Sequence, residues 1–185
     1  MRWLILAFGL AVGSVTAGDL VVTSWNLQWF PSGSPRKSSV EVEAERIRAA
    51  ASTLRAIGPD VVALQEVRDF ETCERLALEA GELKVEVCSR FREFGGTLGW
   101  QQVAILAKSD AVSGWSENWA TAGAIDVPRG FAFAHLRYGT NDVAVYALHL
   151  KSNLVRDSNE KSVQLNLLKR ELAAELNSLK QRHSL

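Results

Sequence analysis

Apolar and polar positions along this chain follow two periods, and the switches between them mark its elements. DLVVTSWNLQWF (19–30) opens as a β-branched apolar run and ends polar-aromatic, which predicts a strand. PSGSPRK is a turn-rich loop. Ser38 and Glu41 then form a capping box for a helix that lines up Val40, Ala44, Ile47, Ala51 and Leu54 on one stripe. Gly58-Pro59 stops that helix, and PDVVALQEV (59–67) reads as a buried strand that ends on an amide and a carboxylate. A second helix is predicted over 69–80, ending at Gly81. LKVEV (83–87) alternates as a half-buried strand, REFGGTLGW (92–100) is a glycine-rich loop, and QVAILAK (102–108) is another strand. Residues 111–128 are less regular, with Trp115 and Trp119 assigned to a strand. GFAFAHLRY (130–138) and DVAVYALHL (142–150) form a hairpin around Gly139-Thr140-Asn141. A last helix, capped by Asp157 or Ser158, carries Leu165, Leu168, Leu172, Leu176 and Leu179 as its apolar stripe. This order predicts an α+β protein, with two sheets packed together and helices outside.

The first residues read differently. Arg2 precedes the apolar run WLILAFGLAV, which is too short to span a bilayer. GSVTAG follows, with Val15 and Ala17 at the small-residue positions of a cleavage site. Residues 1–17 are therefore expected to be a secretory signal peptide, with a buried first strand as the alternative. That places the protein outside the cell or in the periplasm, without a stable membrane anchor, and leaves 18–185 as the folded domain. Export makes a Cys73–Cys88 disulfide possible, one that could stabilise the fold by about 3 kcal/mol, while two small buried thiols remain the other reading.

Composition adds little. The chain has 185 residues, 47% of them hydrophobic and 23% charged, which excludes a disordered chain. Lys+Arg and Asp+Glu both number 21, so no polyanionic partner is demanded by charge alone.

The candidate chemistry sits at three strand ends. An apolar run stops at Asn26, another at Glu66 and a third at His149. If these strands are neighbours, an amide, a carboxylate and an imidazole converge. Asn26 and Glu66 offer hard oxygens of the kind Mg²⁺ or Mn²⁺ prefers, and His149 suits proton transfer or hydrogen bonding to a phosphate. Arg68, Arg129 and Lys151 favour an anionic substrate. The bland readings are a solvated strand end for Glu66, a turn former in Asn26, a core histidine, and core or rim packing for Trp25 and Trp29.

TSWNLQ, PDVVALQEVRD, QVAILAKSD and YALHLKSN, in that order, resemble the endonuclease/exonuclease/phosphatase superfamily, and QEVRD is similar to secreted deoxyribonucleases of the pancreatic type. The resemblance implies a deoxyribonuclease-like four-layer fold, a two-sheet sandwich flanked by helices. It implies that Glu66 binds a metal ion (Mg²⁺, or Mn²⁺ or Ca²⁺), that Asn26 organises the metal site and that His149 hydrogen-bonds the scissile phosphate or protonates the leaving oxygen. Arg68 matches a nucleic-acid contact, with Arg129 and Asn153 on the phosphate side. The implied substrate is nucleic acid or another phosphoester, among them phospholipid head groups and inositol phosphates.

The chain also departs from that pattern. GDFN-like and SDH-like motifs, which would supply the nucleophile-positioning and base residues, are absent, and His183 in LKQRHSL is not preceded by SD. Trp100-Gln101-Gln102 offers amides where some relatives place a carboxylate beside the histidine. The expectation is a domain that lacks the C-terminal part of its second sheet, so that either a partner chain completes it or the fragment is unstable or aggregates. Two functions follow. One is an exported metal-dependent endonuclease, and the other is a catalytically inactive family member that binds metal or nucleic acid.

Overall fold

A computed structural model describes residues 5–6, 14–17, 20–92, 97–118, 130–139, 141–149 and 170. Its strands are β1 (Ile5–Leu6), β2 (Ser14–Ala17), β3 (Leu20–Phe30), β4 (Val61–Val67), β5 (Lys84–Cys88), β6 (Gln102–Ala107), β7 (Ala111–Asn118), β8 (Gly130–Tyr138) and β9 (Asn141–Leu148). Two helices, α1 (Val40–Ile57) and α2 (Phe70–Ala80), lie between them in sequence. One sheet has the order β1-β9-β8-β7 and the other β2-β3-β4-β6-β5.

Strand alternation builds two cores from one sheet. In β4, Val61 and Ala63, with Val103 and Ile105 of neighbouring β6, face the other sheet and meet Ala132, Ala134, Val143 and Val145 of β8 and β9. Val62 and Leu64 point the opposite way, into a second core with Ile47, Ala51 and Leu54 of α1 and Leu76 and Ala77 of α2. Full burial on both faces explains why the sequence of β4 is apolar without interruption until Gln65. The sandwich with helices outside is thus the arrangement the element order predicts.

Both helices start and stop on local chemistry. The α1 cap is Ser39 rather than Ser38: the Ser39 hydroxyl accepts the Val42 N–H at 3.4 Å, and Ser38 donates instead to Glu43. With the helix beginning one residue later, Val40 sits ahead of the first buried turn and is 73% exposed, so it drops off the expected apolar stripe. Asp69 caps α2 by accepting the Thr72 N–H at 2.8 Å. Gly58 closes α1 with φ 66°, a left-handed conformation that glycine adopts without strain.

β1 and β2 fall inside the segment expected to be a signal peptide. Ser14–Ala17 pairs antiparallel with Leu20–Thr23, and Ile5–Leu6 pairs parallel with Ala144–Val145, so this is the arrangement of the chain with that segment attached. The β8–β9 hairpin turns at Gly139, and Trp115 lies on β7 as expected. Trp119 and the expected last helix with its leucine stripe lie outside the described residues, save for the exposed helical Arg170. No described helix is long and apolar enough to cross a membrane.

Candidate active site

The site grows from an irregularity in β4. Along this strand Val62 and Leu64 face the helices, and so does Val67, which means the inside–outside parity slips by one residue at Glu66. The ladder shows the same slip: Gln65 pairs with Val103 and Val67 with Gln102, leaving Glu66 without a partner in β6. On the other side Asn26 pairs with Gln65 and Phe30 with Val67, so Leu27, Gln28 and Trp29 of β3 stand opposite Glu66 alone. A bulge of this kind re-aims a side chain out of the sheet. Here it turns a carboxylate away from two apolar cores.

The backbone that does this is strained. Gln28, Trp29 and Glu66 have φ of 52°, 52° and 59°, and they are the non-glycine residues with positive φ among those described. Each costs about 1–2 kcal/mol relative to an ordinary conformation, and such costs concentrate at functional sites.

The strain is held by directed hydrogen bonds. Asn26 Oδ1 accepts the Gln28 N–H at 3.0 Å, and its Nδ2 donates to Glu66 Oε1 at 3.0 Å. The Trp29 N–H donates to Glu66 Oε2 at 3.1 Å. His149, just beyond the end of β9, brings Nε2 to 3.3 Å from Glu66 Oε1. Asn26, Glu66 and His149, far apart in sequence, therefore meet at one point. The Glu66 and His149 side chains are 13% and 16% exposed. Beneath them the buried Gln65 amide donates to Ser24 Oγ at 3.3 Å and to the Ala63 carbonyl.

Arg68 leaves the strand just after the bulge. Its guanidinium donates to Glu43 at 2.8 Å and to Asp69 at 3.2 Å, which ties β4 to the first turns of both helices. As a substrate contact it would share those bonds. Arg129, Lys151 and Asn153 lie outside the described residues.

Three contributors had little signal in the sequence. Arg46 of α1 reaches over to donate to the Leu27 and Gln28 carbonyls at 3.3 and 3.4 Å, and so clasps the strained turn. Trp29 acts through its backbone, which no side-chain pattern reveals. Gln102 is wholly buried: Oε1 accepts from Ser89 Oγ and the Phe91 N–H at 2.8 and 2.7 Å, while Nε2 donates to the Phe91 and Gly99 carbonyls at 3.0 and 2.7 Å. This amide organises the loop after β5 and has no capacity left for a histidine. Cys73 and Cys88 are thiols in this structure.

Among the described residues no three of His, Cys, Asp and Glu cluster as a ready ligand set. Mg²⁺ does not need one, since it keeps several waters and is commonly bound through one or two carboxylates. A Glu66 carboxylate fixed by two N–H donors fits that requirement, and Asn26 faces it through Nδ2, its amide oxygen being taken up by the Gln28 N–H.

The fold recurs in solved structures. A mannosyl-6-phosphatase from Bacteroides thetaiotaomicron superposes with a TM-score of 0.57 and 17% identity, over 85% of this chain and 60% of that one. TDP2 from Caenorhabditis elegans gives 0.56 and 17%, over 86% and 43%. TDP2 from D. rerio, in complex with a single-strand DNA product, gives 0.55 and 18%, over 83% and 54%. This chain has the endonuclease/exonuclease/phosphatase fold. It spans about half the length of these proteins, from 43% to 60%. No family model matches the sequence, and no curated protein matches it. Within the endonuclease/exonuclease/phosphatase fold, the Glu66 bulge and the β9 end lie at the rim of the sandwich, each at the C-terminal end of its strand.

Proposed function

We propose that this chain is an exported, divalent-metal-dependent phosphoesterase whose substrates are the phosphodiester bonds of nucleic acid. The observation that carries the reading is the Glu66 carboxylate: it is turned out of the sheet at the cost of three strained residues and held through both oxygens, which a solvated strand end would not require. The solved structures of this fold include a phosphatase and a protein bound to a DNA product, which supports phosphate as the recognised group.

In this reading Glu66 would hold Mg²⁺, or Mn²⁺ or Ca²⁺ in its place, through its carboxylate, and Asn26 would organise that metal site through its Nδ2 bond to Glu66. The ion supplies Lewis acidity at phosphate oxygens, where negative charge grows in the transition state. Asn26 and the Trp29 N–H fix the carboxylate so that it does not reorganise as substrate binds. His149 Nε2 carries a proton at the mouth of the site and donates it to a phosphate oxygen or to the leaving oxygen. Arg129, Lys151 and Asn153 supply positive charge and hydrogen bonds on the substrate side.

A second reading rests on the absence of GDFN-like and SDH-like motifs from residues 1–185. It has the same site binding metal and phosphate without turnover by these residues alone. The experiment is hydrolysis of supercoiled plasmid and of bis-p-nitrophenyl phosphate by the purified chain across a Mg²⁺ titration, with Glu66→Gln and His149→Ala alongside. Activity that needs Mg²⁺ and falls at least about 100-fold in each variant supports the enzyme. Saturable Mg²⁺ binding that Glu66→Gln abolishes, with no turnover, selects the second reading. A folded chain that shows neither overturns both.

A further inference from the structure

We infer that Cys73 and Cys88 form a disulfide site that fastens the edge strand β5 to helix α2. Cys73 lies on the face of α2 that also buries Thr72, Leu76 and Ala77, and it is wholly inaccessible. Cys88 is the last residue of β5, partly exposed, and packs against the same helix-facing core that contains Cys73. The Cys88 thiol is the neighbour that acts most strongly on the Cys73 thiol and, together with burial, raises its pKa well above the ordinary value. The chain has two cysteines, so each has one possible intramolecular partner. β5 stands at the edge of its sheet, paired on one side by β6, and a covalent tie to α2 would hold that edge in place.

The pair needs an oxidant, and a small-molecule disulfide is the class that suits it. The accessible Cys88 sulfur attacks one sulfur of the reagent, forms a mixed disulfide and releases the first reagent thiol. Cys73 sulfur then attacks the Cys88 sulfur of that mixed disulfide. The protein S–S bond forms, the mixed bond breaks and the second reagent thiol leaves. Two protein thiols are oxidised, one reagent disulfide is reduced, and the two thiol protons end on the two released thiols.

The test incubates the full 185-residue chain with oxidised glutathione, then denatures it and adds iodoacetamide without reductant, and reads intact mass and proteolytic peptides. The expected product is monomeric, unalkylated, 2 Da lighter by loss of two hydrogens, and yields a linked Cys73–Cys88 peptide. Its Tm falls by about 5–10 °C on reduction. Cys73→Ser should instead stop at a glutathione adduct on Cys88, which traps the first step. The inference is overturned if both thiols of the wild-type chain take up iodoacetamide, if a glutathione adduct persists in it, or if the only linked species are dimers. The wild-type mass decides the matter even if the variant does not fold, and no outcome depends on phosphoesterase activity.

Discussion

Asn26 spans the gap between β3 and β4 with both ends of its amide, holding the Gln28 N–H on one side and Glu66 Oε1 on the other, each at 3.0 Å. One side chain therefore sets the turn and the carboxylate together. Asn26→Ala should lower Mg²⁺ or Mn²⁺ affinity about 10- to 100-fold, the usual cost of losing a group that orients a ligand. Isothermal titration of the folded variant checks it, and unchanged affinity would remove Asn26 from the metal site.

The sequence made the framework readable but not the shape of the site. Val61 to Leu64 could be read as a buried strand because burial on both faces leaves one solution, an unbroken apolar run. Asn26, Glu66 and His149 stood out because each is polar where such a run stops. The positive φ values at Gln28, Trp29 and Glu66 left no comparable trace, since none of the three is a glycine. Their conformation is imposed by hydrogen bonds from residues remote in sequence. The Ser38 cap and the place of Val40 in the stripe failed for a smaller reason: two adjacent serines can each cap a helix, and Ser39 as the cap leaves Val40 at the first helical position, ahead of the buried Ile47, Ala51 and Leu54.

Gln28 is exposed and held at φ 52°. Glycine adopts that conformation without a Cβ clash, so Gln28→Gly should stabilise the fold by up to about 1 kcal/mol, or about 2–4 °C in Tm. A β-branched residue should do the reverse, and Gln28→Val is expected to lower Tm. Thermal unfolding of the pair measures the stored strain directly.

Arg46 clasps the Leu27 and Gln28 carbonyls while its buried Nε finds no hydrogen-bond partner among the described residues. Gly33 makes room for it: a Cβ there would stand 2.7 Å from Arg46 Nη1, at a φ of 76°. Arg46→Ala should cost about 1–3 kcal/mol, chiefly through the Leu27 carbonyl, since the Gln28 carbonyl is exposed to water. Gly33→Ala should cost about 1–2 kcal/mol from its backbone alone and displace the guanidinium as well. If the clasp is what both variants lose, the double variant will fall short of the sum of the two, a comparison that denaturant unfolding can make.

Asp69 joins the α2 cap to Arg68. Burial pushes its carboxyl up, but Thr72 and the Arg68 guanidinium outweigh burial and hold it below the usual carboxylate range. A depressed folded pKa stabilises the protein above the unfolded value, about 3.9, and that stability is lost as pH falls through the folded one. Asp69→Asn keeps a good capping side chain and removes the charge. Its deficit should be no more than about 1 kcal/mol at neutral pH, since the pair is partly solvated, and should close as pH drops below about 4. Urea midpoints against pH test the sign: a gap that widens in acid contradicts it.

Gln102 belongs to the Trp100-Gln101-Gln102 stretch where the resemblance implies a carboxylate, and its amide is spent on the loop after β5. Both of its Oε1 bonds are accepted and both of its Nε2 bonds donated, all inside a core that excludes water. Gln102→Glu keeps the shape and the acceptor but turns the donor into a second acceptor, which then faces the Phe91 and Gly99 carbonyls. An ionised carboxyl there is buried without a counter-charge, so the variant should lose about 3 kcal/mol or more at neutral pH. Burial and the facing carbonyls must raise the introduced carboxyl above its unfolded pKa, about 4.3. The penalty therefore grows as pH rises from the unfolded value to the folded one and eases in acid, where the protonated group regains one donor. Gln102→Leu loses all four bonds at every pH and should show no such slope. Parallel slopes for the two variants would mean that the loop after β5 is held by something other than this amide.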